Sequence, residues 1–269
     1  MKRSALLALL PALMLSAALP SRARAEDEAE RDARWSDLSH AIFGDRVVED
    51  GAGVVTLQAP PRALDAALVP VSIRLAGGKA VKAVYLVIDD NPSPLAATFT
   101  FGALADPGEI KLRVRVNQYT RMQAVAETTD GRLYMTQDFV KAAGGCSAPA
   151  GSNDEEALRA LGEMKLRLLS DFAPGKPVTA QLLIRHPNFN GMQMDQVTRL
   201  MTPARFLDRT DITFNGAQVM QVASDISLST DPAITFSFVP PGPGKLDVVA
   251  HDSKGTTFEH GFDVPAQGT

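Results

Sequence analysis

Cys146 is the one cysteine in the chain, and it lies in Gly144-Gly145-Cys146-Ser147, between Lys141-Ala142-Ala143 and Ala148-Pro149-Ala150-Gly151-Ser152. A thiol attacks a sulfur centre as its thiolate, and an ordinary cysteine is only about a few per cent ionised at neutral pH. Along the chain Lys141 is the nearby cation, while Asp154-Glu155-Glu156 pulls the other way. The local sequence is therefore expected to leave the thiol near its ordinary acidity, with activation supplied by a partner's site. The glycines keep side-chain bulk away from the sulfur and let the backbone enter a narrow channel. Residues this small cannot bury enough apolar surface to fix their own conformation, so 142–156 is expected to be a flexible, solvated arm. Gly144, Gly145 and Ser147 are its expected flexible residues, and Cys146 is the expected point of covalent attachment. The bland alternative is an incidental thiol in a domain linker.

Other constellations for chemistry are weak. The four histidines are scattered, and His186, His251 and His260 are expected to play structural or surface roles. Metal ligands need converging side chains at helical or turn spacing, and none are spaced so; no metal is expected. No Gly-x-Ser-x-Gly elbow or Cys–His pairing suggests a nucleophilic enzyme. Gly77-Gly78 and Gly144-Gly145 lack the Lys-Ser/Thr and following helix of a phosphate loop. Met192 and Met194 are expected to cap a sheet edge rather than bind copper. No resident cofactor is expected, only a covalent sulfur adduct on Cys146.

The elements that position this arm are strands. An amphipathic helix is expected near Trp35, Leu38 and Ile42, after a charged, frayed stretch over 26–34. From residue 54 the apolar period becomes two. Strands are expected at 54–57, 69–75, 81–88, 98–101, 110–116, 122–127 and 133–137. In 110–116 the apolar Ile110, Leu112, Val114 and Val116 alternate with Lys111, Arg113, Arg115 and Asn117 on the polar side. Beyond the arm, strands are expected at 165–169, 178–184, 212–214, 219–222, 234–239, 246–250 and 257–264, with Asn215-Gly216 as the strongest hairpin signal. The reading is all-β: two immunoglobulin-like sandwiches packed together, 26–141 and 157–269, joined by the arm and preceded by a short N-terminal helix.

Lys2-Arg3, the apolar run from Ala5 to Leu15 and Ala23-Arg24-Ala25 form an export signal over 1–25, with cleavage expected after Ala25. The run is too short to span a membrane, so no span is expected after cleavage and the protein is expected in the periplasm. A single cysteine excludes an internal disulfide, and an odd thiol in an oxidising compartment predicts a Cys146-linked dimer. A net charge of −4 argues against nucleic acid as a partner, which favours a basic face.

The two halves match something specific. Trp35, Phe43-Gly44-Asp45-Arg46, Leu57-Gln58-Ala59-Pro60, Val69-Pro70-Val71 and Gly144-Gly145-Cys146 resemble SoxY, the sulfur-carrying subunit of bacterial thiosulfate oxidation. Leu183-Ile184-Arg185-His186-Pro187, Pro203-Ala204-Arg205-Phe206, Asn215-Gly216 and Gly244-Lys245-Leu246 resemble SoxZ, its partner. The order of the whole is similar to fused SoxYZ-like carriers associated with quinoprotein dehydrogenases. The resemblance implies a non-enzymatic carrier, holding a sulfur-containing group on Cys146 for periplasmic sulfur-oxidation enzymes, or for a quinoprotein dehydrogenase and its cytochrome. The alternative is a non-covalent adaptor for such a dehydrogenase, with Cys146 dispensable. In SoxY the cysteine is near a free chain end, in Gly-Gly-Cys-Gly-Gly; here Ser147-Ala148-Pro149 follows, and the arm must leave and return.

Overall fold

The computed structural model describes residues 20–76, 80–148, 158–195 and 198–265, with side chains from Glu28 onward. Helix α1 (Pro20–Phe43) precedes β1 (Val48–Asp50), β2 (Val55–Gln58), β3 (Val69–Leu75), β4 (Val81–Ile88), β5 (Leu95–Phe101), β6 (Glu109–Val114), β7 (Thr120–Thr128) and β8 (Leu133–Val140). Beyond the arm come β9 (Met164–Leu168), β10 (Val178–Ile184), β11 (Leu207–Phe214), β12 (Ala217–Ser224), β13 (Ala233–Phe238), β14 (Gly244–Asp252) and β15 (Thr257–Val264). The mostly-β reading with two domains holds, and most expected strands appear within a few residues of their sequence bounds. The short parallel strand β1, paired to β8 from Val48↔Leu133, has no expected counterpart.

The halves do not merely pack; their sheets run together. One sheet has the order β1-β8-β7-β4-β5-β12-β11-β14-β15 and the other β2-β3-β6-β13-β10-β9. In the first, the halves meet where β5 pairs antiparallel with β12, from Phe101↔Met220 to Ala97↔Ser224. In the second, β6 meets β13 through Thr235↔Lys111. Pairing edge to edge satisfies main-chain groups that two separate sandwiches would leave open to other chains. Most of the buried apolar residues of the two halves accordingly form one continuous cluster, with Phe99 and Leu112 from the first half and Val222 and Phe238 from the second.

The Asn215-Gly216 hairpin forms as expected, with φ of 48° and 80° at its two residues, the left-handed pair that a tight two-residue turn requires. The helix is longer than its sequence signal. Residues 26–34, expected to fray, are helical because tertiary partners hold them. Arg121 on β7 donates to Asp32 Oδ1 at 2.6 Å and Glu28 Oε2 at 2.5 Å, and Arg34 pairs with Asp90. Further along, Trp35, Ile42 and Phe43 pack on Val125 and Leu133. With the core on one face and α1 on the other, β7 is buried along its whole length.

Candidate functional site

The site begins where β6 ends. After Val114 the chain runs on through Arg115, Val116 and Asn117, pinned by Asn91 from the β4–β5 connection. Asn91 Nδ2 donates to Arg115 O at 2.7 Å and to Ser227 Oγ at 3.0 Å, and its Oδ1 accepts from Asn117 N at 2.9 Å. Gly144 and Gly145 lie against this segment: Gly144 N donates to Asn117 O at 2.8 Å and Gly145 N to Val116 O at 2.9 Å. Val116 N in turn donates to Ala66 O at 2.8 Å. Gly145 has to be glycine here, because a Cβ would stand 2.0 Å from Ala66 O. Gly144 has φ of +81°, where a side chain is strained.

The second half closes the other side. Asn190 Nδ2 donates to Cys146 O at 2.6 Å and Gln193 Nε2 to Ala148 O at 3.2 Å. The loop carrying them is held by a buried polar cluster. His186 Nδ1 accepts from Asn188 N at 3.0 Å, which leaves the neutral ring's proton on Nε2, 3.8 Å from Asp252 Oδ2 and too far for a hydrogen bond. Burial lowers the His186 pKa, so the ring is neutral at pH 7. Burial pushes Asp252 up, but hydrogen bonds from Thr256 N, Arg205 and Lys254 N outweigh it and leave the carboxyl below its ordinary value. Arg205 Nε meets Asp252 at 2.7 Å. His186 is structural here, as its sequence suggested.

This geometry corrects the expectation of a solvated arm. Cys146 is 0% exposed, wedged between the two halves. Gly144 and Gly145 are hydrogen-bonded to the first half, and Ser147 Oγ turns back to Gly144 O at 3.2 Å. The physical reason is that the halves themselves supply the seat. Small residues cannot order themselves, but they offer bare main-chain groups to a surface that is already ordered. Of the expected arm, 149–156 lies outside the described residues.

The acidity expectation changes too. Burial pushes the Cys146 thiol up to about 11, against the opposing pull of the Arg115 charge. The seated thiol is therefore neutral and unreactive at pH 7. The cation beside it is Arg115, not Lys141. Strand alternation places Arg115 on the polar side of β6, yet it is 1% exposed, because the segment 227–230 and the arm cover that end. Its Nη2 donates to Thr230 Oγ1 at 2.7 Å and its Nη1 to Gly145 O at 3.3 Å. Arg115, Asn190 and Gln193 went unread in the sequence; each is recognisable only once the other half is in place. Among the described residues no group of three or more His, Cys, Asp or Glu is placed to hold a metal, and no helix is long and apolar enough to cross a membrane.

Fold and site together define a two-half β protein that grips one thiol at the junction of its halves. The family is given by comparison with known families: the model of the sulfur oxidation protein SoxY matches residues 39–146, ending on Cys146, and that of the sulphur oxidation protein SoxZ matches 166–263. The chain belongs to this SoxY–SoxZ family, with both members in one polypeptide, and membership gives it a carrier role in sulfur oxidation. No curated protein matches it. Among solved structures, it is similar to the sulfur carrier protein SoxY from Chlorobium limicola f thiosulfatophilum, with 23% identity and a TM-score of 0.38 over 44% of this chain and 98% of that one. It is also similar to a beta-glycosidase from Bacteroides vulgatus, with 10% identity and a TM-score of 0.25 over 78% of this chain but 24% of the enzyme. At these scores neither likeness bears on function.

Proposed function

We propose that the protein is an exported, periplasmic sulfur carrier that holds a sulfur-containing group covalently on Cys146 and presents it to separate enzymes. The observation that supports this best is that the SoxY match ends on the chain's single cysteine, which the fold seats in a built position. Joining a thiosulfate to the thiolate forms an S–S bond and releases two electrons. An oxidoreductase partner, such as a cytochrome or a quinoprotein dehydrogenase system, accepts them. The chain itself supplies the nucleophile and no redox centre; it is not an enzyme in this reading.

A seated thiol cannot react, so the arm must leave its seat. Among the described residues five hydrogen bonds hold it: those of Gly144 N, Gly145 N, Arg115, Asn190 and Gln193. At a net value of about 0.5–1.5 kcal/mol each, opening costs several kcal/mol, within the ordinary range of local unfolding. Partners would capture the open arm, where the thiol returns to ordinary acidity. The buried thiol also favours a second reading, the non-covalent adaptor, in which Cys146 only stays seated.

Intact mass spectrometry of protein taken from its native compartment separates the two. Increments on Cys146 in multiples of sulfur or of sulfonate are expected. Cys146→Ser should lose them entirely and with them sulfur-compound oxidation. A variant that keeps full physiological activity would establish the adaptor in place of the carrier.

A further inference from the structure

Arg115 is a buried cation in want of a counter-ion. It is 1% exposed, its Nε has no hydrogen-bond partner, and among the described residues it makes no salt bridge. Its two satisfied nitrogens meet neutral oxygens, Gly145 O and Thr230 Oγ1. A guanidinium left in this state is costly, since a buried charge ordinarily finds an anion. Two groups could act on it as negative charges, Asp65 and Cys146. Asp65 is exposed, and its Oδ1 is taken by Ala67 N at 2.8 Å. Cys146 is the buried one, and its neutral thiol gives Arg115 nothing.

A sulfur group carried on a cysteine differs in this respect. A thiosulfonate bears a full negative charge at neutral pH, and a persulfide ionises more readily than the thiol from which it derives. We infer that Arg115 reads the charge of the cargo: it favours the seated arm when the sulfur on Cys146 is anionic over the seated arm carrying a neutral group. The inference rests on the carrier reading of Cys146. It makes Arg115 a specificity-determining residue rather than only a clamp between Gly145 and Thr230. A clamp would hold charged and neutral adducts alike.

The test installs both kinds of adduct chemically on the full chain. Tetrathionate reacts with the Cys146 thiolate by exchange: the new S–S bond leaves an S-thiosulfonate, thiosulfate departs with the electron pair of the broken S–S bond, and tetrathionate is itself the oxidant. Methyl methanethiosulfonate gives a neutral methyl disulfide, with methanesulfinate leaving. Amide hydrogen exchange of the peptide containing Gly144 and Gly145 then reports arm seating. With a charge-assisted hydrogen bond at stake, the anionic adduct should slow this exchange about tenfold relative to the neutral one. Arg115→Gln should bring the ratio to about one, and Arg115→Lys should restore part of it. A ratio near one in the parent overturns the inference, whether or not the variants fold. So does a ratio that survives Arg115→Gln. Because the adducts are placed by reagent, these outcomes stand apart from whether native protein carries sulfur, which the mass measurement decides.

Discussion

The two halves are joined in two different ways. At β5–β12 the joint is a main-chain ladder inside a nine-stranded sheet, backed by Phe99 and Val222, both buried. At the arm the joint is made of single polar contacts from Asn190, Gln193 and Arg115 to a segment with little side chain of its own. The ladder depends on many bonds and a shared core, so it opens only when the whole protein does. The arm depends on a handful of bonds worth about a kilocalorie each, so it can open while everything else stays folded. A carrier needs both: a body that does not come apart and one segment that does.

The largest effect should follow from breaking the ladder. Val222→Asp places a carboxylate opposite Phe99 in the shared core, which should destabilise the protein by about 4 kcal/mol or more. Thermal unfolding followed by circular dichroism should remain one transition at lower temperature, since the halves share their sheets. Two separate transitions, one per half, would show that the ladder is not a common core. Next comes the arm. Gly145→Ala would put a methyl 2.0 Å from Ala66 O, so the arm should fail to seat. Reaction of Cys146 with a small neutral alkylating reagent at pH 7 should accelerate by at least about tenfold, with the unfolding temperature little changed. An unchanged rate would mean that seating does not protect the thiol.

The same contrast explains what could be read in the sequence. Strands such as β3, with its buried Val69, Val71, Ile73 and Leu75, announce themselves by alternation, because alternation reports which face is buried. It does not report which strand lies alongside, since edge pairing uses main-chain groups that every residue has. The merging of two sandwiches into two shared sheets was therefore invisible. Arg115 shows the same limit at one residue: its position just beyond β6 reads as polar and outward, and it is covered by the arm and by residues 227–230, more than a hundred positions away. Cys146 itself was legible as a residue type in a small-residue setting. Its seat was not, because Asn190 and Gln193 sit in a loop whose sequence reads as irregular. Helix α1 was legible only where its apolar residues touch the core; Glu28 and Asp32 are held by Arg121, a partner that periodicity cannot find.

A third effect separates stability of the body from opening of the arm. Asp89 is buried, and among the described residues its Oδ1 has no partner and its Oδ2 accepts only from Gln123 Nε2 at 3.1 Å. Burial pushes its pKa up to about 6, against the opposing influence of Gln123, Arg121 and Arg34. A carboxyl whose folded pKa is raised favours the folded state when protonated. Its contribution is fully present below about 3.8 and is lost as pH rises through about 6. Asp89→Asn should therefore stabilise the protein at pH 8 by about 1–3 kcal/mol and lose that advantage toward pH 4. Denaturant unfolding at the two pH values reads this directly, and an advantage equal at both would refute the assignment. The thiol alkylation rate should not move, because Asp89 makes no bond to the arm.

The smallest effect is the most discriminating. Asn190→Ala removes the hydrogen bond from Nδ2 to Cys146 O, and within its own loop the bond that Oδ1 accepts from Met192 N, and leaves the glycine contacts and Arg115 in place. One such bond is worth about 1 kcal/mol, so the open population should rise about fivefold. If alkylation proceeds through the open arm, its rate at pH 7.5 should rise by the same factor, while global unfolding stays within about 0.5 kcal/mol of the parent. Raising the pH sharpens the test. The seated thiol has its pKa pushed up to about 11 from an ordinary 9.0, so the seated state is favoured below 9 and loses that preference as pH rises through 11. Opening should therefore become easier, and alkylation faster, at the alkaline end in parent and variant alike. A variant alkylated no faster than the parent at pH 7.5 would show that Asn190 does not hold the arm in its seat.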